Sequence, residues 1–426
     1  MTSDPRPAGR PRLVLAILSF VYVLNFLDRQ LVSILAKPIQ DALSITDGEL
    51  GRITGLYFAL FYCTIAIPVG WLADRTNRVK VLSIACGLWS AATAACGLAG
   101  SYGQLVVARM MVGVGEAGGV PPSYAIISDS FPREKRGTAM AIFNLGPPIG
   151  SALGVAFGAS LAAAFDWRIP FYVVGAVGII AAVVVWKLIP EPARGRYDCP
   201  VASTAMERVP FFKALGAFFT HPSLLLASLA SGAANFITYG LSNFATLFLM
   251  REKGMDLSEV ALFYALVVGL GMGGGIYCSG RLLDRFVPRW KAASALIPAA
   301  SLLLALPFFL GFVWAPAWQG ALLFLAVPMF LNSFFLTATV NFVQGEVNPN
   351  QRVMAGALLL LVMNFIGLGL GPTYVGMMSD HFRPAYGDQA LQAALYALAP
   401  VYVFAAGLFL LLARLIHRNR TAEGAA

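Results

Sequence analysis

Charged side chains are scarce in this chain of 426 residues. Asp, Glu, Lys and Arg make up 12% of it and hydrophobic residues make up 58%, whereas a soluble domain usually has about 25% charged residues. A soluble fold of this length could not bury so much apolar surface and still present a polar exterior to water. The composition therefore excludes an ordinary soluble protein and indicates a chain that is surrounded mainly by lipid.

Residues that usually bind metals or perform catalysis are also few. The three histidines lie near the ends of apolar segments, and the five cysteines show neither metal-binding nor disulfide spacing. The sequence has no HExxH, GxSxG or Walker motif, and its glycine-rich stretch GVGEAGG lies inside an apolar segment instead of after a strand. We therefore predict a protein that is not an enzyme and that binds no metal and no cofactor.

What the sequence does have is a series of long apolar segments. A helix needs about 20 mostly apolar residues to cross a membrane, and the backbone in lipid must be helical to satisfy its hydrogen bonds. Twelve segments qualify, at approximately 13–37, 49–73, 79–99, 103–128, 137–164, 169–189, 222–250, 257–280, 291–312, 317–345, 352–379 and 390–416. We predict an all-α membrane protein with six-helix bundles at 1–189 and 221–426, joined by a polar, proline-containing cytoplasmic linker at 190–220.

The basic residues predict the orientation of these helices. If the N-terminus lies in the cytoplasm and twelve helices alternate, cytoplasmic segments hold 22 of the 30 Lys and Arg residues. Positive residues favour the cytoplasmic side of membrane proteins, so both termini are expected there. This distribution also explains the net charge of +9 without a nucleic-acid partner.

Two motifs recur at similar positions in both halves. GWLADR begins at Gly70 and GRLLDR begins at Gly280, and each has an Asp-Arg pair four residues after the first Gly. DSFPR begins at Asp129 and EVNPNQR begins at Glu346, and each has an acid three residues before a Pro, followed by an Arg. We infer that the chain consists of two six-helix repeats.

The segment GWLADRTNRVK at 70–80 resembles the signature of the major facilitator superfamily, with Asn77 where that signature usually has Gly. The resemblance covers essentially the whole chain and implies two parallel six-helix halves. NFLDRQ at 25–30 and ARMMVGVGEAGG at 108–119 resemble the spinster-like subfamily, whose members move sphingolipids, lysolipids and related amphiphiles. NLGPPIGSALG at 144–154 is similar to a motif of proton-coupled antiporters, with Ser151 replacing one of the usual glycines.

Four ionisable residues fall at membrane depth: Asp28, Arg29, Arg109 and Glu116. Such a charge costs about 2.5–3.5 kcal/mol on insertion scales, and intramembrane charges are usually functional. Arg109 and Glu116 share one helix face, and Asp28 approaches Arg109 if spans 1 and 4 face one cavity, as they do in the superfamily. Burial raises the pKa of a carboxylic acid and a nearby arginine lowers it. We predict proton coupling by Asp28, Glu116 and Arg109, with either acid as the carrier; a static ion-pair network is the alternative.

Other polar residues are candidates for the substrate site and for gating. Unpaired amides are unfavourable in hydrocarbon, so they are expected to face a cavity or a neighbouring helix. The predicted substrate-binding residues are Tyr22, Asn25, Arg29, Tyr57, Arg109, Asn235, Phe236, Tyr239, Asn243, Asn332, Phe335 and Asn364. In the superfamily, the counterpart of Asp74 pairs with nearby arginines in a gate. By this resemblance the gating salt bridges are predicted among Asp74, Arg75, Arg78, Arg136, Asp284 and Arg285.

These observations predict a secondary transporter that works by alternating access, driven by protons, with an amphipathic lysolipid-like or sphingolipid-like substrate. The alternative is a proton-coupled multidrug or organic-anion antiporter, and a non-transporting receptor or a scramblase is a further one. The expected partners are the substrate, protons and the lipid bilayer, and the expected state is a monomer. The short loops favour a bacterial inner membrane as its location.

Overall fold

The computed structural model describes residues 10–195, 197, 211–347 and 352–423. Regular structure in these ranges is helical throughout, without a strand, which confirms the predicted all-α fold. Prolines occupy the first turn of many of the helices, where a missing N–H costs no hydrogen bond. The first ten helices are α1 (Pro11–Ile34), α2 (Ala36–Leu43), α3 (Asp47–Thr54), α4 (Leu56–Arg75), α5 (Arg78–Leu98), α6 (Tyr102–Glu116), α7 (Val120–Ser130), α8 (Arg133–Phe143), α9 (Gly146–Ala164) and α10 (Ile169–Leu188).

The remaining helices follow the predicted linker, of which residues 196 and 198–210 lie outside the described part of the chain. They are α11 (Phe211–Thr220), α12 (Pro222–Arg251), α13 (Leu257–Glu259), α14 (Ala265–Phe286), α15 (Ala293–Trp314), α16 (Trp318–Leu331), α17 (Phe334–Glu346), α18 (Arg352–Asn364), α19 (Gly371–Tyr386), α20 (Ala390–Tyr396) and α21 (Ala399–Glu423). π-Helical turns at Val260–Tyr264 and Phe365–Leu370 join α13 to α14 and α18 to α19. The second copy of the acid-Pro-Arg motif, at 346–352, lies partly outside the described residues.

The helices agree with the predicted spans, and several spans are broken within their length. In the described residues, ten helical stretches are long and apolar enough to cross a membrane, and the last of them, Met354–Arg418, contains two of the predicted spans. The predicted span 103–128 is divided into α6 and α7, because Pro121 and Pro122 cannot donate the hydrogen bonds that would continue the helix.

The chain forms two compact units. One contains Met1–Leu35 and Leu60–Thr204, and the other contains Ala36–Ala59 and Ala205–Ala426. The segment Ala36–Ala59 belongs to the first predicted half by sequence, but its α3 packs against α19 of the second unit. The division into 1–189, 190–220 and 221–426 stays a prediction.

Small residues set the closest helix contacts in the first unit. A Cβ atom at Gly115 of α6 would lie 2.6 Å from the backbone nitrogen of Trp89 in α5, so only glycine fits there. Gly150 of α9 meets the carbonyl oxygen of Val23 in α1 in the same way. These contacts fix α5 against α6 and α1 against α9, and α1 and α6 carry the intramembrane charges.

Candidate functional site

Five polar side chains from three helices of the first unit form a buried ionic cluster. Helix α1 provides Asp28 and Arg29, α5 provides Thr93, and α6 provides Arg109 and Glu116. Asp28, Thr93, Arg109 and Glu116 are each at most 2% exposed. The structure therefore brings together the three residues that were predicted to couple transport to protons, and adds Arg29 and Thr93 to them.

Arg29 is the direct partner of Glu116. Its Nε atom lies 2.5 Å from Glu116 Oε2. The guanidinium also lies over the rings of Phe26 and Tyr62, at 4.8 and 5.0 Å from their centroids, and aromatic faces attract cations at such distances. Arg29 was predicted to bind the substrate, and its observed partner is the Glu116 carboxylate of α6.

Asp28 has a looser contact with its arginine. Asp28 Oδ1 lies 4.0 Å from Arg109 Nη1, which is an ion pair without a hydrogen bond between these two atoms. Its other oxygen, Oδ2, accepts a hydrogen bond from the hydroxyl of Thr93. Thr93 was not among the predicted residues. Its place at the centre of an apolar span is the sequence feature that could have identified it.

The charges of this cluster can balance. With both acids ionised, the two carboxylates offset the two guanidinium groups, and one added proton leaves a net positive charge. Removing one partner of a buried ion pair leaves an uncompensated charge, which is strongly unfavourable. A change in the charge of one member can therefore be compensated when the cluster binds a proton or an anionic group.

The remaining predicted substrate residues of the first unit lie near this cluster in sequence and in space. The ring of Tyr22 stacks on Phe143, with 4.4 Å between the centroids. Asn25 is buried close to Glu116. Both side chains belong to α1, where Asn25 lies one turn and Tyr22 two turns before Arg29.

The predicted substrate residues of the second unit mostly contact neighbouring helices or their own. Asn235 donates a hydrogen bond to the carbonyl oxygen of Met363 at 3.0 Å, Asn243 donates to that of Tyr239 at 2.9 Å, and Asn332 donates to the hydroxyl of Tyr402 at 2.9 Å. Phe236 lies against Tyr374, with 5.4 Å between ring centroids. Phe335 is buried, and Tyr57, Tyr239 and Asn364 are half-buried. Their role in binding stays a prediction.

Among the predicted gating residues, Arg78 has the most contacts. It is buried and pairs with Asp129 at 2.5 Å and Glu191 at 2.7 Å, and it also donates to the carbonyl oxygen of Pro192. This network fixes the start of the predicted linker to α5 and α7. The sequence did not identify Asp129 and Glu191 as the carboxylate partners of Arg78.

The other predicted gating residues lie closer to the surface. Arg75 stacks on the ring of Trp71 at 4.1 Å, and the backbone carbonyl of Asp74 accepts a hydrogen bond from Arg194. Arg136 donates to the carbonyl oxygen of Phe131 at 3.1 Å. The side chains of Asp74, Asp284 and Arg285 are exposed.

The second unit contains a polar cluster that sequence reasoning missed, named here the Asp47 cluster. Both oxygens of Asp47 accept hydrogen bonds from Arg251, at 2.9 and 2.8 Å. Ser379 and Gln40 donate to the same carboxylate at 2.5 and 2.6 Å, and Asp47 is 2% exposed. The cluster joins α2, α3, α12 and α19.

A sequence model of the Major Facilitator Superfamily matches residues 18–372. The chain belongs to this superfamily. It is therefore a multi-pass membrane transporter of small solutes and not an enzyme.

Individual relatives refine the assignment within the superfamily. One similar crystal structure is that of a bacterial homologue of the human lysosomal transporter spinster, in an inward-facing and unoccupied conformation. The two sequences are 30% identical, and the match covers 96% of this chain and 98% of that one with a TM-score of 0.88. An MFS-type efflux pump of Mycolicibacterium smegmatis is 31% identical over 93% of this chain and 91% of the relative. A sphingosine-1-phosphate transporter of Mus musculus is 29% identical over 93% and 76%. The chain is thus a spinster-like member of the superfamily.

Proposed function

We propose that this protein is a proton-coupled secondary transporter of an amphipathic, lipid-like solute, and that its two halves alternate access to one site. The observation that carries the proposal is the buried ionic cluster, in which two acids and two arginines lie together at membrane depth. Intramembrane ionisable groups of this kind are typical of proton relays in transporters. The sphingosine-1-phosphate transporter among the relatives supports a substrate with a charged head and an apolar tail.

We further propose that Asp28 is the acid that exchanges the proton. Glu116 is hydrogen-bonded to Arg29 at 2.5 Å, whereas Asp28 lies 4.0 Å from Arg109. A charge-assisted hydrogen bond stabilises a carboxylate more than a longer ion pair does. Glu116 then keeps Arg29 neutralised, so that the charge of Asp28 alone changes during transport.

The test uses purified protein in liposomes with a pH gradient across the membrane. Radiolabelled sphingosine-1-phosphate and lysophosphatidylglycerol are the probes, and uptake is measured with the gradient and after a protonophore. We expect the gradient to drive uptake in the unaltered protein, and Asp28→Asn and Glu116→Gln to reduce that uptake to background. The Gln side chain still accepts a hydrogen bond from Arg29, but it leaves the charge of Arg29 uncompensated. Retained folding of this variant is therefore checked by its thermal unfolding in detergent.

Asp41→Asn is the matched control, because Asp41 pairs with Lys37 on the surface and should not affect uptake. Proton-driven uptake at the unaltered level in Glu116→Gln would contradict the coupling role of the cluster. Uptake that equilibrates both lipids with no response to the gradient would indicate a scramblase.

The second candidate function is export of hydrophobic drugs in exchange for protons. It is favoured by the 31% identity to an MFS-type efflux pump. The same liposomes test it with ethidium as the probe. Proton-driven transport of ethidium without transport of either lipid would select this function.

A further inference from the structure

The hydroxyl group of Thr93 has two hydrogen-bond acceptors within reach. One is Asp28 Oδ2, and the other is the backbone carbonyl oxygen of Trp89, at 2.9 Å. A hydroxyl group carries one proton and can donate it to one of them at a time. Thr93 and Asp28 are both buried, so the Thr93 hydroxyl is shared between these two acceptors. The direction of this one O–H bond is therefore linked to the charge of Asp28.

The charged groups that act most directly on Asp28 belong to α1 and α6. Arg109 and Glu116 face it from α6, Arg29 lies beside it on α1, and Cys96 is the neighbouring thiol of α5. Helix α9, which packs along α1, has no ionisable residue. The neutral side chain of Thr93 donates a hydrogen bond to Asp28. A change at Thr93 thus alters the surroundings of Asp28 without altering any charge.

We propose that Thr93 is a positioning residue for the coupling proton on Asp28. When Asp28 is ionised, the Thr93 hydroxyl donates to Oδ2 and stabilises the negative charge. When a proton binds to Oδ2, the new O–H group donates to Thr93 Oγ1, and the Thr93 proton turns to the Trp89 carbonyl. No covalent bond of Thr93 forms or breaks, and the cluster gains one positive charge. This inference rests on the proposed function, since it concerns the proton that drives transport.

A purely structural role makes a different prediction. Threonine hydroxyls within helices often donate to the carbonyl oxygen four residues earlier, without any function. Such a bond to Trp89 would stabilise or bend α5, and its loss would leave the pH dependence of transport unchanged. The pH profile therefore separates the two roles.

The experiment compares Thr93→Val, which removes the hydroxyl at nearly constant shape, with Thr93→Ser, which keeps it. Uptake of sphingosine-1-phosphate into liposomes is measured against pH. We expect the midpoint of the profile to move upward by about one pH unit in Thr93→Val, because a hydrogen bond to an ionised group changes proton affinity by about tenfold or more. Thr93→Ser should restore the original midpoint.

Thr54→Val is the matched control, because the buried hydroxyl of Thr54 donates to carbonyl oxygens of its own helix. This variant should leave the midpoint unchanged. Unchanged midpoints in both valine variants, or equal shifts in both, would overturn the role of Thr93.

Infrared spectroscopy gives a readout that does not require transport. The carboxyl C=O band that disappears in Asp28→Asn belongs to Asp28, and its intensity can be followed against pH in each Thr93 variant. We expect Thr93→Val to alter the frequency of this band and to raise its midpoint. If the band responds in this way but no probe is driven by protons, the proposed function fails and the role of Thr93 stands. If proton-driven uptake is intact and the band does not respond, the role of Thr93 fails alone.

Discussion

Glu252 is a buried carboxylate beside Arg251, an arginine that is hydrogen-bonded to another carboxylate. Its side chain is 6% exposed and lies 3.9 Å from Arg251, while the same guanidinium binds both oxygens of Asp47. The backbone N–H of Gln392 donates to Glu252 Oε1 at 3.2 Å. Burial raises the pKa of Glu252 from 4.5 to about 7, although Arg251 acts in the opposite direction.

This shift predicts that stability depends on pH. Because the folded chain binds the Glu252 proton more tightly than the unfolded chain, the stabilisation is complete below about pH 4.5 and is lost as the pH rises through about 7. We expect Glu252→Gln to remove this part of the pH dependence and to be more stable than the unaltered protein at high pH. The measurement is the thermal unfolding midpoint in detergent across this pH range. The exposed Glu134→Gln serves as the control, and an unchanged pH dependence in Glu252→Gln would refute the assignment.

The intramembrane charges were visible in the sequence, but their pairing was not. Asp28 and Arg29 are adjacent, and successive side chains of a helix point about 100° apart. The sequence therefore shows that both are buried in a membrane helix, but the partner of each depends on how α1 is turned relative to α6. The seven-residue spacing of Arg109 and Glu116 predicts that they share one face of α6, and this inference requires only that both lie in one continuous helix.

Among the elements, the segment Ala36–Ala59 is held to the second unit by buried polar contacts. The Asp47 cluster joins α3 to α12 and α19, and Asp380 accepts further hydrogen bonds from Thr46 and from the backbone N–H of Gly48, at 2.8 and 3.0 Å. Thr46 also caps the first turn of α3. An ion pair with this many hydrogen bonds fixes the position of the whole segment.

Breaking this ion pair should be costly. We expect Arg251→Gln to lower the free energy of unfolding by about 3 kcal/mol, because it leaves the buried carboxylate of Asp47 uncompensated. Asp47→Asn should lower it by less, because Arg251 is 25% exposed and also lies near Glu252. The double variant should lose less than the sum of the two, and the difference measures the pair in a double-mutant cycle. The exposed pair Lys37–Asp41 is the control and should contribute at most about 0.5 kcal/mol. Additive losses at Asp47 and Arg251 would show that the pair does not act as a unit.

The helices themselves were predictable, because lipid requires long apolar segments and apolar segments are easily recognised. The division at residues 117–119 was not predicted, although Pro121 and Pro122 were in view, because hydropathy alone does not separate a continuous span from an interrupted one. The contact between Asp47 and Arg251 could not be predicted from a single sequence. The two residues are 204 positions apart, and the segment that contains Asp47 belongs to the first half by sequence order.

For the whole molecule, the basic residues and the repeats lead to expectations about topology. With 22 of the 30 Lys and Arg residues in segments assigned to the cytoplasm, we expect both termini on that side of a bacterial inner membrane. Reporter fusions to each terminus test this, using green fluorescent protein, which is fluorescent in the cytoplasm, and alkaline phosphatase, which is active outside it. Phosphatase activity at either terminus would reverse the orientation. We also expect a monomer, which light scattering of the detergent complex would check.

The glycine at the centre of α6 has a mechanical consequence. Where Gly115 meets the backbone of Trp89, two main chains touch without any side chain between them, and this joint lies one residue from Glu116 and four from Thr93. A joint of bare backbone has no flexible atoms that could absorb a displacement. Glu116 of α6 and the hydroxyl group of Thr93 in α5 are therefore expected to move together as parts of one rigid helix pair.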